Sequence, residues 1–136
     1  MNDEKEPNEF QIHNSNVSIN TLPACTRSQL TRFNGVDRPQ LYVAIRGYIY
    51  DVSSNVDNYG VGKGYHKLVG KDVSRLLGLN KLSVLPEEKD GKPDWETSWD
   101  TSGLTEQQQE TVDKWVLFFQ ARYKIVGVVV DHYQSK

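Results

Sequence analysis

Cysteine is almost missing from this 136-residue chain: Cys25 is the single example. An internal disulfide is therefore excluded, and so is a thiolate zinc cluster, which needs several sulfur or imidazole ligands. Long apolar runs are missing too, because nothing approaches the roughly 18 to 20 residues needed to span a bilayer. The opening MNDEKEPNEF is acidic and polar, not a basic start before an apolar core. A chain with neither signal peptide nor anchor is expected in the cytoplasm, or held peripherally on the endoplasmic reticulum or other endomembranes. Positive charge is in short supply as well. Sixteen Lys and Arg face 18 Asp and Glu for a net charge of -2, which gives no electrostatic case for nucleic acid as a partner. Also missing are HExxH, GxSxG, GxxxxGK[ST] and GxGxxG, and with them the sequence grounds for a hydrolase or a nucleotide-binding enzyme. A protein that is not an enzyme is the expectation.

What is present is a composition of 37% hydrophobic and 25% charged residues, suited to one globular domain. Residues 1–22 are rich in Asn, Glu and Ser and poor in large apolar side chains, so they read as a disordered polar tail. The folded domain is expected over 23–132, with a short tail at 133–136. Charge is unevenly spread. Between residues 26 and 81 there are nine bases and four acids, a bias that suits an anionic ligand. Residues 86 to 100 reverse the sign with Glu87, Glu88, Asp90, Asp94, Glu96 and Asp100 against Lys89 and Lys92. Both runs also suit a solvated surface.

Local signals order the elements. Thr26 and Gln29 have capping-box spacing, ahead of Leu30 and Phe33, and Asn34-Gly35 closes this short helix. LYVAI and YIYDV flank Arg46-Gly47, which predicts a β-hairpin. Asp57 to Tyr65, with Gly60, Gly62 and Gly64, reads as a loop. Val73, Leu76 and Leu77 predict a helix with one buried face, with Asp72 near its start and Arg75 three residues on as an exposed partner. The following 25 or so residues carry Pro86, Gly91 and Pro93. They are too long for a structureless loop, so packing through Trp95 and Trp99 is expected. Thr105 and Gln108 form a second capping box, opening a helix in which Val112, Trp115, Val116, Phe119 and Tyr123 recur on one face. IVGVVV ends the pattern as a strand rejoining the sheet.

The chemistry concentrates in the loop Tyr59-Gly-Val-Gly-Lys-Gly-Tyr65-His66. A phenol is a poor ligand for most metals at neutral pH, but hard ferric iron favours the phenolate, and tyrosine is an axial ligand of haem iron. Glycines permit close approach of a flat macrocycle, and Lys63, Lys67 and Lys71 are placed to meet its propionates. The same tyrosines also suit half-buried aromatics under a turn. His66 suits either a pocket residue or loop surface, and Cys25 reads as a free thiol, not a ligand.

Several ordered blocks together are similar to the membrane-associated progesterone receptor family, a branch of the cytochrome-b5-like haem/steroid-binding domains. The blocks are Phe33-Asn34-Gly35, Ala44-Ile45-Arg46-Gly47, Tyr50-Asp51-Val52, Tyr59-Gly60 with Tyr65, Val69 through Arg75, and Trp115 through Gly127. The resemblance implies a small α+β domain whose mixed sheet and helices form a ligand pocket. It implies ferric haem b held by Tyr65, with Tyr59 as its hydrogen-bonding neighbour and Arg122 and Tyr123 lining the same pocket. It further implies a regulatory protein that supports haem-thiolate monooxygenases in sterol metabolism, able to bind sterol and to pair through stacked haems. Val61 and Gly64 stand where the family has loop prolines, and Val69 where it has a small residue. The alternative on the same fold is a haem-free sterol-binding or protein-interaction module. A conventional electron carrier with two axial histidines is disfavoured, since no histidine occurs between His66 and His132.

Overall fold

The computed structural model describes residues 6–84 and 90–132. Strands β1 (Ala24–Cys25), β2 (Tyr42–Ile45), β3 (Tyr48–Asp51) and β4 (Lys124–Val129) form one mixed sheet. Its order is β1-β4-β3-β2, with β1 parallel to β4 and the other neighbours antiparallel. Helices α1 (Glu9–Ser15), α2 (Arg27–Leu30), α3 (Val56–Tyr59), α4 (Ser74–Leu79) and α5 (Glu106–Gln120) surround it, with single 3-10 turns at Ile19–Thr21, His66–Leu68 and Asp94–Glu96. This is the expected α+β architecture. Among the described residues no helix is long and apolar enough to cross a membrane.

The strands read as continuous apolar runs because both faces of the sheet are covered. Val43, Ile45 and Tyr50 meet Val73, Leu76, Val112 and Phe119 in the main core. Ala44, Ile49 and Val129 point the other way onto Leu30 of α2. Each large side chain buried in this way contributes about 1.5–3 kcal/mol. At the hairpin turn Arg46 and Gly47 have φ of 52° and 83°, the pair of positive values that matches the twist of the flanking strands. Helix α4 packs close to α5 at Gly78, where an added Cβ would lie 2.8 Å from Leu104 Cδ1 and 3.1 Å from Val112 Cγ2.

Both predicted capping boxes are present. Thr26 accepts from Gln29 N and Thr105 from Gln108 N, and each glutamine side chain returns to the cap backbone. The expectation of a loop from Asp57 onward is corrected at its start. One helical turn forms there because Tyr59 N and Gly60 N reach back to Asn55 O and Val56 O.

The expected disordered tail over 1–22 is corrected within the described residues. Asn8 caps α1 through its own capping box with Gln11. Asn14 is buried and donates to Gln120 O at 3.0 Å and Tyr123 O at 2.8 Å, while its carbonyl accepts from Ile125 N at 2.8 Å. His13 Nε2 lies 3.1 Å from Ile125 O. A polar anchor, not an apolar stripe, fastens this helix to the junction of α5 and β4. The expected tail at 133–136 lies outside the described residues, as do Pro86, Glu87, Glu88 and Lys89.

Asp72 does not pair with Arg75. Its carboxylate, 1% exposed, accepts from Gly47 N at 3.0 Å, Ser74 N at 3.2 Å, Ser74 Oγ at 2.7 Å and His132 Nδ1 at 2.6 Å. Its backbone carbonyl accepts from Ser98 Oγ at 2.7 Å. One side chain thus joins the hairpin turn, the start of α4 and His132, three residues past the end of β4. Arg75 points away and donates to the carbonyls of Asp100 and Ser102, both at 3.3 Å.

Two stability outcomes follow from these clasps. Asn14→Ala leaves two buried backbone groups and one part-buried group without this partner and is expected to cost about 1–3 kcal/mol. Asp72→Ala leaves His132 and the turn amides without their acceptor and is expected to cost about 3–5 kcal/mol. Urea unfolding monitored by circular dichroism measures both, and losses under about 0.5 kcal/mol, the size of an ordinary surface substitution, would contradict these roles.

Candidate functional site

A cleft opens between the α3 loop, α4 and α5. Tyr59 and Tyr65 come from α3 and its following loop, and Leu68 from the 3-10 turn. Leu76 and Leu77 come from α4, and Trp115 and Phe119 from α5. The enclosed volume is about 180 Å³, below the roughly 300–1,000 Å³ of most small-molecule pockets. One side is open to solvent through Tyr65, Asn80, Lys81 and Leu82.

The two loop tyrosines have opposite surroundings. Tyr65 is 43% exposed, whereas Tyr59 is 3% exposed, and their rings lie 5.8 Å apart. Tyr59 meets Phe119 and Tyr123 edge to face, with centroids 6.4 Å and 6.2 Å away. Burial pushes the Tyr59 phenol well above the usual tyrosine range, and the neighbouring Tyr123 and Tyr65 add to the shift. Tyr59 therefore stays protonated at neutral pH and acts as a hydrogen-bond donor. Its hydrogen-bond partner is Tyr123, whose hydroxyl also accepts from Asn55 Nδ2 at 2.9 Å. The resemblance implies Tyr59 as a hydrogen-bonding neighbour of Tyr65, whose ring lies 5.8 Å from that of Tyr59.

The remaining predicted site residues are dispersed. Tyr123 is buried behind Tyr59 and does not line the cleft. His66 lies beside the loop and donates from Nδ1 to Tyr59 O at 2.8 Å, since a carbonyl can only accept. Lys63 lines a separate shallow groove with Gly35, Pro39 and Leu41. Arg122 is exposed on the α5 side, with its guanidinium 3.7 Å from the Phe118 ring centroid. Lys71 bonds Lys67 O at 2.7 Å and lies 3.7 Å from Asp94. The cation that does stand at the cleft is Lys81, which sequence reasoning missed. Its signal was local: Asn80 closes α4 in the left-handed conformation, with φ of 60°, and turns the next residues back over the cleft.

No second histidine joins His66. His13 is held at Ile125 O and His132 at Asp72. Among the described residues no group of three or more His, Cys, Asp and Glu is arranged to hold a metal ion. The loop glycines leave room: a Cβ added at Gly62 or Gly64 would meet nothing within 4 Å.

Comparison with known proteins matches this geometry. The cytochrome b5-like haem/steroid binding domain profile matches residues 26–85. "Probable steroid-binding protein 3" of Arabidopsis thaliana is 41% identical over 107 residues, covering 78% of this chain and 97% of that protein. "Cytochrome P450 regulator dap1" of Schizosaccharomyces pombe is 27% identical over 113 residues, and the match spans 82% of this chain and 65% of that protein. A solved structure of an Arabidopsis thaliana protein described as having a cytochrome b5 like fold superposes with a TM-score of 0.64 at 38% identity, covering 79% of this chain and 91% of the other. With its ordered motifs, its mixed sheet and its aromatic cleft, the chain belongs to the membrane-associated progesterone receptor family and carries that family's cytochrome b5-like haem/steroid-binding domain.

Proposed function

We propose that this protein is a haem-binding regulator, not a catalyst, in which the Tyr65 phenolate is the axial ligand of ferric haem b. The observation that carries this reading is the exposed phenol of Tyr65 at the mouth of an apolar cleft, backed by the buried, protonated Tyr59. The donor set suits the group. A single hard oxygen favours ferric iron, and Leu68, Leu76, Leu77, Trp115 and Phe119 supply an apolar wall. Lys81 at the rim offers a cation to a propionate. The enclosed volume receives only part of a macrocycle, so the open side at Tyr65 and the space beside Gly62 and Gly64 must accommodate the rest.

When bound, the group supplies an iron centre held in its ferric state. Tyr65 binds that iron, the apolar wall excludes water, and Tyr59 keeps its own proton and orients the aromatic cluster through Tyr123. A phenolate that stabilises ferric iron is ill suited to fast electron shuttling, which favours regulation over electron transfer. Support for a haem-thiolate monooxygenase as the partner comes from the relative named a cytochrome P450 regulator. Haem-mediated pairing of two copies is compatible with the exposure of Tyr65.

One observation favours a second reading. The small cleft volume, with Val61 60% exposed in the loop, suits a haem-free module that takes part of a sterol or a protein side chain.

Titration with hemin tests the choice. The expected spectrum is high-spin ferric with a tyrosinate charge-transfer band. Tyr65→Phe should weaken binding by more than the roughly 10- to 100-fold that loss of a supporting group costs a metal site, with an unchanged urea midpoint. Wild-type protein that stays colourless in excess hemin leaves the haem-free reading. A second outcome concerns Tyr59. Its raised pKa means that the folded state favours the neutral phenol. That contribution is complete below about pH 10, the unfolded value, and is lost as pH rises toward and through the folded value. Urea midpoints should therefore fall above about pH 10, and less steeply in Tyr59→Phe; equal slopes would refute the assignment.

A further inference from the structure

A second cavity lies between α4 and the loop that follows residue 90. Its volume is about 600 Å³, inside the range of roughly 300–1,000 Å³ typical of ligand sites. Leu76 and Leu77 turn one side of α4 to the tyrosine cleft, while Arg75 turns the other to this cavity. Arg27, Arg75, Lys92, Trp99, Thr97 and Ser102 are on its wall.

The two guanidiniums differ in how far they are satisfied. Arg27 has a counter-charge: its buried Nε makes no hydrogen bond among the described residues but lies 3.5 Å from Asp131, its Nη1 donates to Glu96 O at 3.1 Å, and it stacks 4.4 Å from the Trp99 ring. Trp99 is itself fixed, donating from Nε1 to Glu96 O at 2.8 Å and meeting the His132 ring at 5.4 Å. Arg75 is half-buried, yet among the described residues no carboxylate forms an ion pair with it. Among the described residues its guanidinium bonds through Nη1 alone, at the long distance of 3.3 Å to two carbonyls. A half-buried guanidinium without a counter-charge is unfavourable, and its remaining planar N–H groups match a carboxylate or phosphate in bidentate fashion.

The other wall charges narrow the ligand. Lys92 adds a cation at the rim. Two carboxylates also line the cavity. Asp100 turns into its own loop, where Oδ1 accepts from Ser102 N at 3.0 Å and Ser102 Oγ at 2.7 Å. Glu96 remains and opposes a multiply charged guest, which counts against phosphate. Trp99 and Val84 give the same wall an apolar part.

We propose that this cavity binds a small organic carboxylate, gripped by Arg75 and resting against the fixed Arg27–Trp99 stack. The site is separate from the tyrosine cleft and does not depend on haem.

The test uses the full chain, isotopically labelled, with sodium benzoate as probe at constant ionic strength. Saturable shifts of the Trp99 indole N–H and Arg75 Nε–H resonances are expected, with Kd of about 1–10 mM for so small a ligand. Arg75→Gln should weaken binding about tenfold or more. Arg75→Lys, which keeps the charge and loses the fork, should fall between the two and guards against a misfolded glutamine variant. Tyr65→Phe should bind benzoate as wild type does. Shifts that never saturate, unchanged affinity in both Arg75 variants, or an equal response to inorganic phosphate would each overturn the proposal.

Discussion

The carboxylate of Asp72 is the interaction on which the remaining structure depends. It lies below the sheet's hairpin turn and receives hydrogen bonds from Gly47, Ser74 and His132. A charge so deeply buried is costly unless it is fully bonded, and here four donors converge on it. The turn, the start of α4 and the end of the last strand are thereby fixed to one another. The start of helix α4 is held at this carboxylate through Ser74, with Leu76 and Leu77 on one cavity and Arg75 on the other.

Within the cleft, solvation sets the two phenols apart. Tyr59 is dry and keeps its proton; Tyr65 is wet and accessible. The aromatic cluster of Tyr59, Tyr123 and Phe119 encloses the first of these and leaves the second open to solvent. Helix α1 reaches the same cluster from behind, through the Asn14 bonds to the backbone on either side of Tyr123.

Much of this was legible in the residues because the signals were local. The hairpin around Arg46-Gly47, both Thr-to-Gln capping boxes and the face of α5 depend on neighbours within a few positions. What escaped was long-range or polar. Helix α1 has few apolar side chains, and its anchor is an asparagine bonded to residues more than a hundred positions away. Asp72 looked like a helix-start charge because its true partner, His132, is separated by 60 residues. Lys63 was read from its place among the loop glycines and Arg122 from a family-like motif, but loop and helix geometry direct them elsewhere, and Lys81 occupies the rim.

The strand order carries a kinetic consequence. β4 follows the other three strands in sequence yet lies between β1 and β3, so a nascent polypeptide cannot close this sheet until residues 124–129 have emerged from the ribosome. Until then β1 has no ladder partner and the turn lacks its histidine clasp. Hydrophobic strand edges are exposed throughout that interval.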